Sequence, residues 1–192
     1  MSRVGPPWHL QGSGSILLFR FEPGFLEREL GLVMLVDYDE SPVGPYWELL
    51  FLSGFRTITR IYVSTEESAV NGRENWGIPK EVADFTVERR GRTEQVRVTL
   101  DGRTVADLTL GIGRLPLPVT AALIPRSLRT LVQPWEGRTY LTTLEGRGIV
   151  RPARLLKARI DPELFPDLTR GRLLGAVQAS RFRLVFPEPR VS

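Results

Sequence analysis

The sequence predicts a mainly β fold: an antiparallel β-rich domain closed into a barrel or a strongly curved sheet, with few short helices. Three observations predict it. Short apolar or alternating runs recur along the chain, turn residues separate them, and helix-start signals are few.

Ser15–Phe21 and Leu32–Asp37 are apolar and extended, and Tyr46–Leu52 is apolar on both faces. Thr57–Val63 alternates, with Ile58 and Tyr62 on one side and Ile61 and Val63 on the other. Ala83–Glu88, Gln95–Leu100 and Thr104–Leu110 follow as short strands. Arg89–Thr93 and Asp101-Gly102 turn between them, the second being a strong hairpin signal. Thr139–Leu144, Ile149–Ile160 and Ala176–Phe186 complete the predicted strands. Ser64-Thr65-Glu66-Glu67 has the form of a capping box and opens a short helix toward Asn71, which Gly72 ends. Asp161-Pro162-Glu163 starts a second helix running toward Gly171, and Pro125–Val132 gives a third helical turn.

A chain of 192 residues suits one sizeable core, so a single domain over residues 1–192 is expected. Its longest apolar runs, such as Leu32–Val36, are too short to span a bilayer, and no basic-then-apolar signal pattern opens the sequence. The expected location is therefore cytoplasmic, with no membrane partner. The chain has no cysteine and one histidine, His9, expected at the surface. That composition excludes thiol chemistry, disulfides and His-rich metal sites. The net charge is only +4, the arginines are scattered among Asp and Glu, and no nucleic-acid-binding motif accompanies them; no nucleic-acid partner is expected.

Of the 26 basic residues only Lys80 and Lys157 are lysines. Where positive charge alone is wanted, arginine serves; a lysine is indispensable where an amine must lose its proton. Lys157 reads as an ordinary surface residue. Lys80 follows Gly77-Ile78-Pro79, where Gly77 permits a turn and Pro79 pushes Ile78 toward extended geometry. In a regular strand Ile78, Lys80 and Val82 would share one apolar face. Desolvation there lowers the amine pKa and frees a nucleophile, whereas an edge lysine would instead reach water. Glu48 interrupts the apolar run Tyr46–Leu52. Its residue-level reading leaves two roles open, proton transfer by a buried carboxylate or a salt bridge to an arginine such as Arg56 or Arg60. Arg73 and Glu74 read as a charge pair or hydrogen-bond network holding the lysine loop, and Trp76 as packing.

The run Gly72-Arg73-Glu74, then Gly77-Ile78-Pro79-Lys80, resembles the Gly-Arg-Glu…Pro-Lys signature of the acetoacetate decarboxylase-like family. Gly44-Pro45-Tyr46-Trp47-Glu48 and the Pro125…Pro134 segment extend the likeness over most of the chain, as a divergent member. The resemblance implies a cone-like antiparallel barrel, homo-oligomeric assembly and a small oxo-acid substrate. It assigns Lys80 as the catalytic Schiff-base lysine and Glu48 as an active-site glutamate. That family is itself the standard example of a lysine activated by desolvation or a neighbouring cation. No organic cofactor and no metal is implied, since the lysine iminium is the electron sink.

Three positions depart from the decarboxylase pattern: Glu81 follows Lys80 where a second lysine stands, Gly12 replaces an N-terminal arginine, and Val33 replaces a second carboxylate. Adjacent strand residues point to opposite faces, so Glu81 need not touch Lys80; a carboxylate that did approach would raise the lysine pKa and weaken the nucleophile. The implied activity is Schiff-base carbon–carbon lyase chemistry on a small β-keto or oxo acid, decarboxylation first. Aldolase or dehydratase chemistry through the same lysine, and non-catalytic binding of a small ligand, are the rivals.

Overall fold

The computed structural model describes residues 3–192. Among the described residues fourteen strands run in chain order as β1 (Trp8–Phe21), β2 (Leu30–Glu40), β3 (Tyr46–Ser53), β4 (Thr57–Val63), β5 (Glu81–Val82), β6 (Asp84–Arg90) and β7 (Thr93–Leu100). They continue as β8 (Arg103–Ile112), β9 (Leu117–Thr120), β10 (Thr130–Trp135), β11 (Arg138–Thr143), β12 (Glu145–Ile160), β13 (Gly171–Phe186) and β14 (Arg190–Val191). The α-helix, α1 (Glu66–Trp76), joins β4 to β5.

Eleven strands form one sheet in the order β5-β4-β3-β2-β1-β13-β12-β8-β7-β6, with β9 added beside β12. Its two terminal strands, β5 and β6, are consecutive in sequence and separated only by Ala83, whose N–H donates to the Val63 carbonyl at 2.9 Å. One extended segment therefore serves both ends of the sheet and bends it into the barrel-like, mainly β fold that the sequence predicts.

Alternation along β1–β4 divides the apolar residues between two cores. Leu17, Phe19, Val33, Leu35, Leu49 and Phe51 point inward with Val96, Val98, Leu108 and Leu110 from β7 and β8. Leu10, Val36, Tyr38, Tyr46, Leu50 and Ile61 point outward, where α1 and Leu131 of β10 cover them. Glu48 belongs to the outward set. The Asp101-Gly102 hairpin forms as predicted, with both residues at positive φ (48° and 79°), the geometry of a type I′ turn.

Several elements differ from the sequence reading. The predicted helix after Asp161 is a single turn, held by the Phe165 N–H on the Asp161 carbonyl. Pro166 has no N–H to continue it, and only Leu168–Arg170 coil again, as a 3₁₀ turn. In place of the Pro125–Val132 helix there are two 3₁₀ turns, Ala121–Leu123 and Arg126–Leu128, followed by β10. The charges are also less evenly scattered than expected. β12 and β13 together carry eight cations (Arg147, Arg151, Arg154, Lys157, Arg159, Arg172, Arg181, Arg183) against Glu145 alone, so from a total of +4 the rest of the chain is left with −3.

A second, three-stranded sheet, β10-β11-β14, is pinned to the flank of β4 by a side chain that imitates a strand. The buried Gln133 amide accepts from the Ile58 N–H and donates to the Ile58 carbonyl, both at 3.1 Å. Gln133→Leu strands both buried backbone groups, each costing ~1–3 kcal/mol. The expected outcome in urea denaturation is a midpoint lowered by a total destabilisation of ~2–6 kcal/mol, and an unchanged midpoint would show the bridge contributes nothing.

Candidate active site

The loop that presents Lys80 is built by α1. Ser64 does not cap the helix as predicted. It stays on the strand ladder, its N–H donating to the Trp47 carbonyl and its Oγ accepting from the Trp47 N–H at 2.9 Å. Thr65 therefore caps one residue later, accepting from the Ser68 N–H. Nor does the helix stop at Gly72. It runs to Trp76 and ends on Gly77 in the left-handed region, φ 63°, whose N–H satisfies the carbonyls of Arg73 and Gly72. Gly72 is glycine for another reason: a β-carbon there would sit 2.6 Å from Lys80 Cδ. The lysine stem lies directly on the helix backbone.

Beyond Gly77 the Lys80 N–H donates to the Ile78 carbonyl at 2.8 Å, a tight turn in front of β5. The turn breaks the predicted alternation: Ile78 and Lys80 are buried, but Val82 is exposed. Arg73 Nη1 donates to the Lys80 carbonyl, so Arg73 does hold the lysine loop. It does not pair with Glu74; Arg73 lies 3.6 Å from Glu66, and Glu74 3.7 Å from Arg3.

Lys80 Nζ is 5% exposed as a residue and lies 2.9 Å from Glu48 Oε2 and 3.0 Å from Ser68 Oγ, over the Tyr46 ring at 5.0 Å. Glu48 Oε1 accepts from the Tyr38 hydroxyl at 3.2 Å. Trp8, Ile61, Trp76, Ile78 and Phe186 wall off the pair, leaving a cavity of about 20 Å³, room for about one water. Trp76 is packing as expected, with its Nε1 donating to the Pro187 carbonyl, and it also lines this cavity.

Burial alone pushes the Lys80 amine down, and it is the largest single influence; Glu48, followed by Tyr46, more than offsets it, so the net direction is upward. This corrects the sequence expectation of a lowered pKa. Desolvation acts as anticipated, but an ion pair at 2.9 Å outweighs it. Burial also raises Tyr46 to about 12 and holds Tyr38 well above the usual phenol value, with the Glu48 charge adding to both.

The sequence matches the acetoacetate decarboxylase family over residues 21–126, more than half of the chain. The chain belongs to the acetoacetate decarboxylase family. Its fold is similar to acetoacetate decarboxylase from Legionella pneumophila subsp. pneumophila str. Philadelphia 1, at 13% identity and TM-score 0.70 over 98% of this chain and 88% of that one. The enduracididine biosynthesis enzyme MppR complexed with pyruvate is also similar, at 14% identity and TM-score 0.68 over 98% and 91% of the two chains. An acetoacetate decarboxylase-like enzyme from Sphingomonas wittichii RW1 gives 14% and 0.65 over 96% and 92%. In sequence, the Protein NEOXANTHIN-DEFICIENT 1 of Oryza sativa subsp. japonica is 30% identical over 104 residues, 43% of this chain and 34% of that protein. The chain thus spans about a third of the length of this relative.

Within the acetoacetate decarboxylase family framework, the departures acquire physical causes. A β-carbon at Gly12 would lie 2.0 Å from the Asp37 carbonyl oxygen, so this backbone admits no arginine there. Val33 points into the barrel, on the face of β2 opposite Tyr38 and the lysine. Glu81 is exposed and makes no ion pair with Lys80. Of the residues singled out from sequence, Lys80 and Glu48 come together; Arg56 and Arg60 do not reach Glu48. Local sequence does not single out Ser68, Tyr38 or Tyr46 as parts of the site. Tyr46 carries a signal, since it stands two residues before Glu48 and so shares its strand face. Ser68 stands one helical turn before Gly72.

Removing either member of the pair leaves a buried, unpaired charge. Glu48→Leu or Lys80→Met alone is expected to cost ~3–5 kcal/mol, and the double variant much less than the sum. A double-mutant cycle by urea denaturation checks this; additive losses would mean that the two groups do not interact. A second expectation concerns alkali. Lys80, Tyr46 and Tyr38 all hold protons more tightly in the folded chain, so their contribution is complete below pH ~10 and is lost as the pH climbs through the raised folded values. Unfolding free energy measured between pH 8 and 12 should fall steeply above 10, with a shallower fall in Tyr38→Phe.

Proposed function

We propose that this chain performs lysine Schiff-base chemistry on a small oxo acid, with Lys80 as nucleophile, Glu48 as proton-transfer residue and decarboxylation as the reaction. The observation that carries this reading is the sealed 2.9 Å contact between the Lys80 amine and Glu48, in a run, Gly72-Arg73-Glu74…Pro79-Lys80, that resembles the family's signature. A salt bridge between buried groups is one proton transfer away from a neutral amine and a neutral acid, and low dielectric favours that neutral pair more than water does. The ammonium passes a proton to Glu48, and the free amine attacks the ketone carbon. Proton transfer within the adduct gives a carbinolamine. Protonated Glu48 returns its proton to the carbinolamine oxygen, which leaves as water, and an iminium remains beside an ionised Glu48.

The bond to the carboxylate then breaks, carbon dioxide leaves, and its electron pair enters the iminium to form a neutral enamine. A proton drawn from solvent adds to the enamine carbon and restores an iminium, and addition of water to that iminium releases the ketone and returns Lys80 as the ammonium. Among the described residues that line the cavity, Lys80 is the one cation. Two observations support other outcomes of the same site. MppR, of similar fold, is known with the condensation product of pyruvate and imidazole 4-carboxaldehyde bound, which favours aldol-type chemistry. The net upward displacement of the Lys80 amine favours a ligand-binding role in which the pair stays ionised.

Borohydride trapping with acetoacetate and with pyruvate, followed by peptide mass spectrometry, separates them. The expected result is a reduced adduct at Lys80, absent in Lys80→Arg, with carbon dioxide released from the β-keto acid. Carbon–carbon bond formation without carbon dioxide would favour condensation, and no adduct with any acid would leave the binding role.

A further inference from the structure

The cavity beside Lys80 holds about one water, yet the sheet face that bears it does not end there. Across the Tyr38 ring from Glu48 lies a second cleft, of about 220 Å³. Tyr38 and Val36 form its near wall, and their directly paired neighbours on β3 are Tyr46 and Glu48. The near wall of the cleft therefore stands one strand spacing, ~5 Å, from the β3 backbone that carries Glu48. Its floor is apolar: Ile16, Met34, Phe182 and Leu184 turn half-buried side chains into it. Between them the floor is stripped to backbone at Gly14 and Gly148, where a β-carbon would meet the carbonyl oxygens of Leu35 and Arg181 at 2.6 Å. Val119 and Ile124, 43% and 46% exposed, form a roof open to solvent. The Tyr38 ring, tilted against Tyr46 at 4.6 Å and edge-on to Phe182 at 5.8 Å, lines both this cleft and the cavity beside the amine.

We propose that the acid handled at Lys80 carries an apolar chain or ring, and that this group occupies the cleft beyond Tyr38 while the carbonyl carbon reaches the amine. The proposal rests on the Schiff-base reading for its reacting end and on the cleft for its tail. A tail of several methylenes has an apolar floor and roof to lie between, whereas a substrate the size of acetoacetate would leave the cleft empty. Rotation of Tyr38 away from Glu48 joins the two cavities, and burial of the tail against Met34 and Phe182 offsets the loss of the tyrosine hydrogen bond.

The test is a chain-length series. Borohydride trapping at Lys80 is measured with 3-oxobutanoate, 3-oxohexanoate and 3-oxooctanoate, in the native chain and in the Val119→Asp/Ile124→Asp double variant. Each pair of methylenes is expected to lower the half-saturating concentration by about tenfold in the native chain. In the variant, checked for native folding by circular dichroism, the gain should shrink to ~threefold or less. A flat series in the native chain, with adducts formed throughout, overturns the cleft and leaves the Schiff-base reading standing. If no acid forms an adduct, displacement of an apolar fluorophore, 1-anilinonaphthalene-8-sulfonate, by fatty acids of the same lengths decides. Displacement that strengthens with length and is lost in the variant upholds the cleft while the Schiff-base reading fails; no length dependence overturns it.

Discussion

An ammonium and a carboxylate held together away from water are costly to bring inside a protein, and the neighbourhood of Lys80 is arranged around meeting that cost. Coulombic attraction between the two offsets part of their desolvation. Ser68 and Tyr38 take up one further hydrogen bond on each partner, and the Tyr46 ring supplies a π face to the cation. Gly72 lets the lysine stem lie on the helix, and Thr65 and Gly77 fix where that helix begins and ends. Each of these residues can be understood by asking what the pair would lack without it.

The barrel places this pair by a simple device. A strand with period two has a residue for each side, and β3 uses both: Leu49 and Phe51 fill the barrel, while Tyr46, Glu48 and Leu50 face α1. The site is thus formed against the outside of the barrel wall, under the connection between β4 and β5. Because that connection also brings the two ends of the sheet together at Ala83, the lysine stands at the closing point of the architecture. Closure fixes the backbone on either side of it.

The sequence makes the strand-rich architecture and the central pair legible, for different reasons. Alternation reveals Thr57–Val63 and the β6–β8 meander because their turns carry ordinary turn residues. It fails at the start of β1, where the predicted strand opens only at Ser15 although the strand begins at Trp8 and close approach to β2 demands Gly12 and Gly14. It fails also at β9 and β10, whose Pro118 and Pro134 suggest breaks but sit where strands have an unpaired flank. Lys80 stands out as a lysine in an arginine-rich chain, and Glu48 as a carboxylate in an apolar run. Their mutual distance depends on the β3–α1 packing, and with it the charge state of the amine. Local sequence predicts desolvation correctly and cannot see the anion that opposes it.

The crowding of eight cations onto β12 and β13 gives the molecule an electrical polarity that its modest net charge conceals. At low ionic strength an anion diffusing nearby feels a force directed toward these two strands, and encounters with that side are enriched over the rest of the surface. Their backbones also floor the cleft beyond Tyr38, so an anionic solute is drawn toward the mouth of that cleft. Added salt shortens the reach of that field to about 8 Å at physiological strength, leaving the apolar contacts untouched.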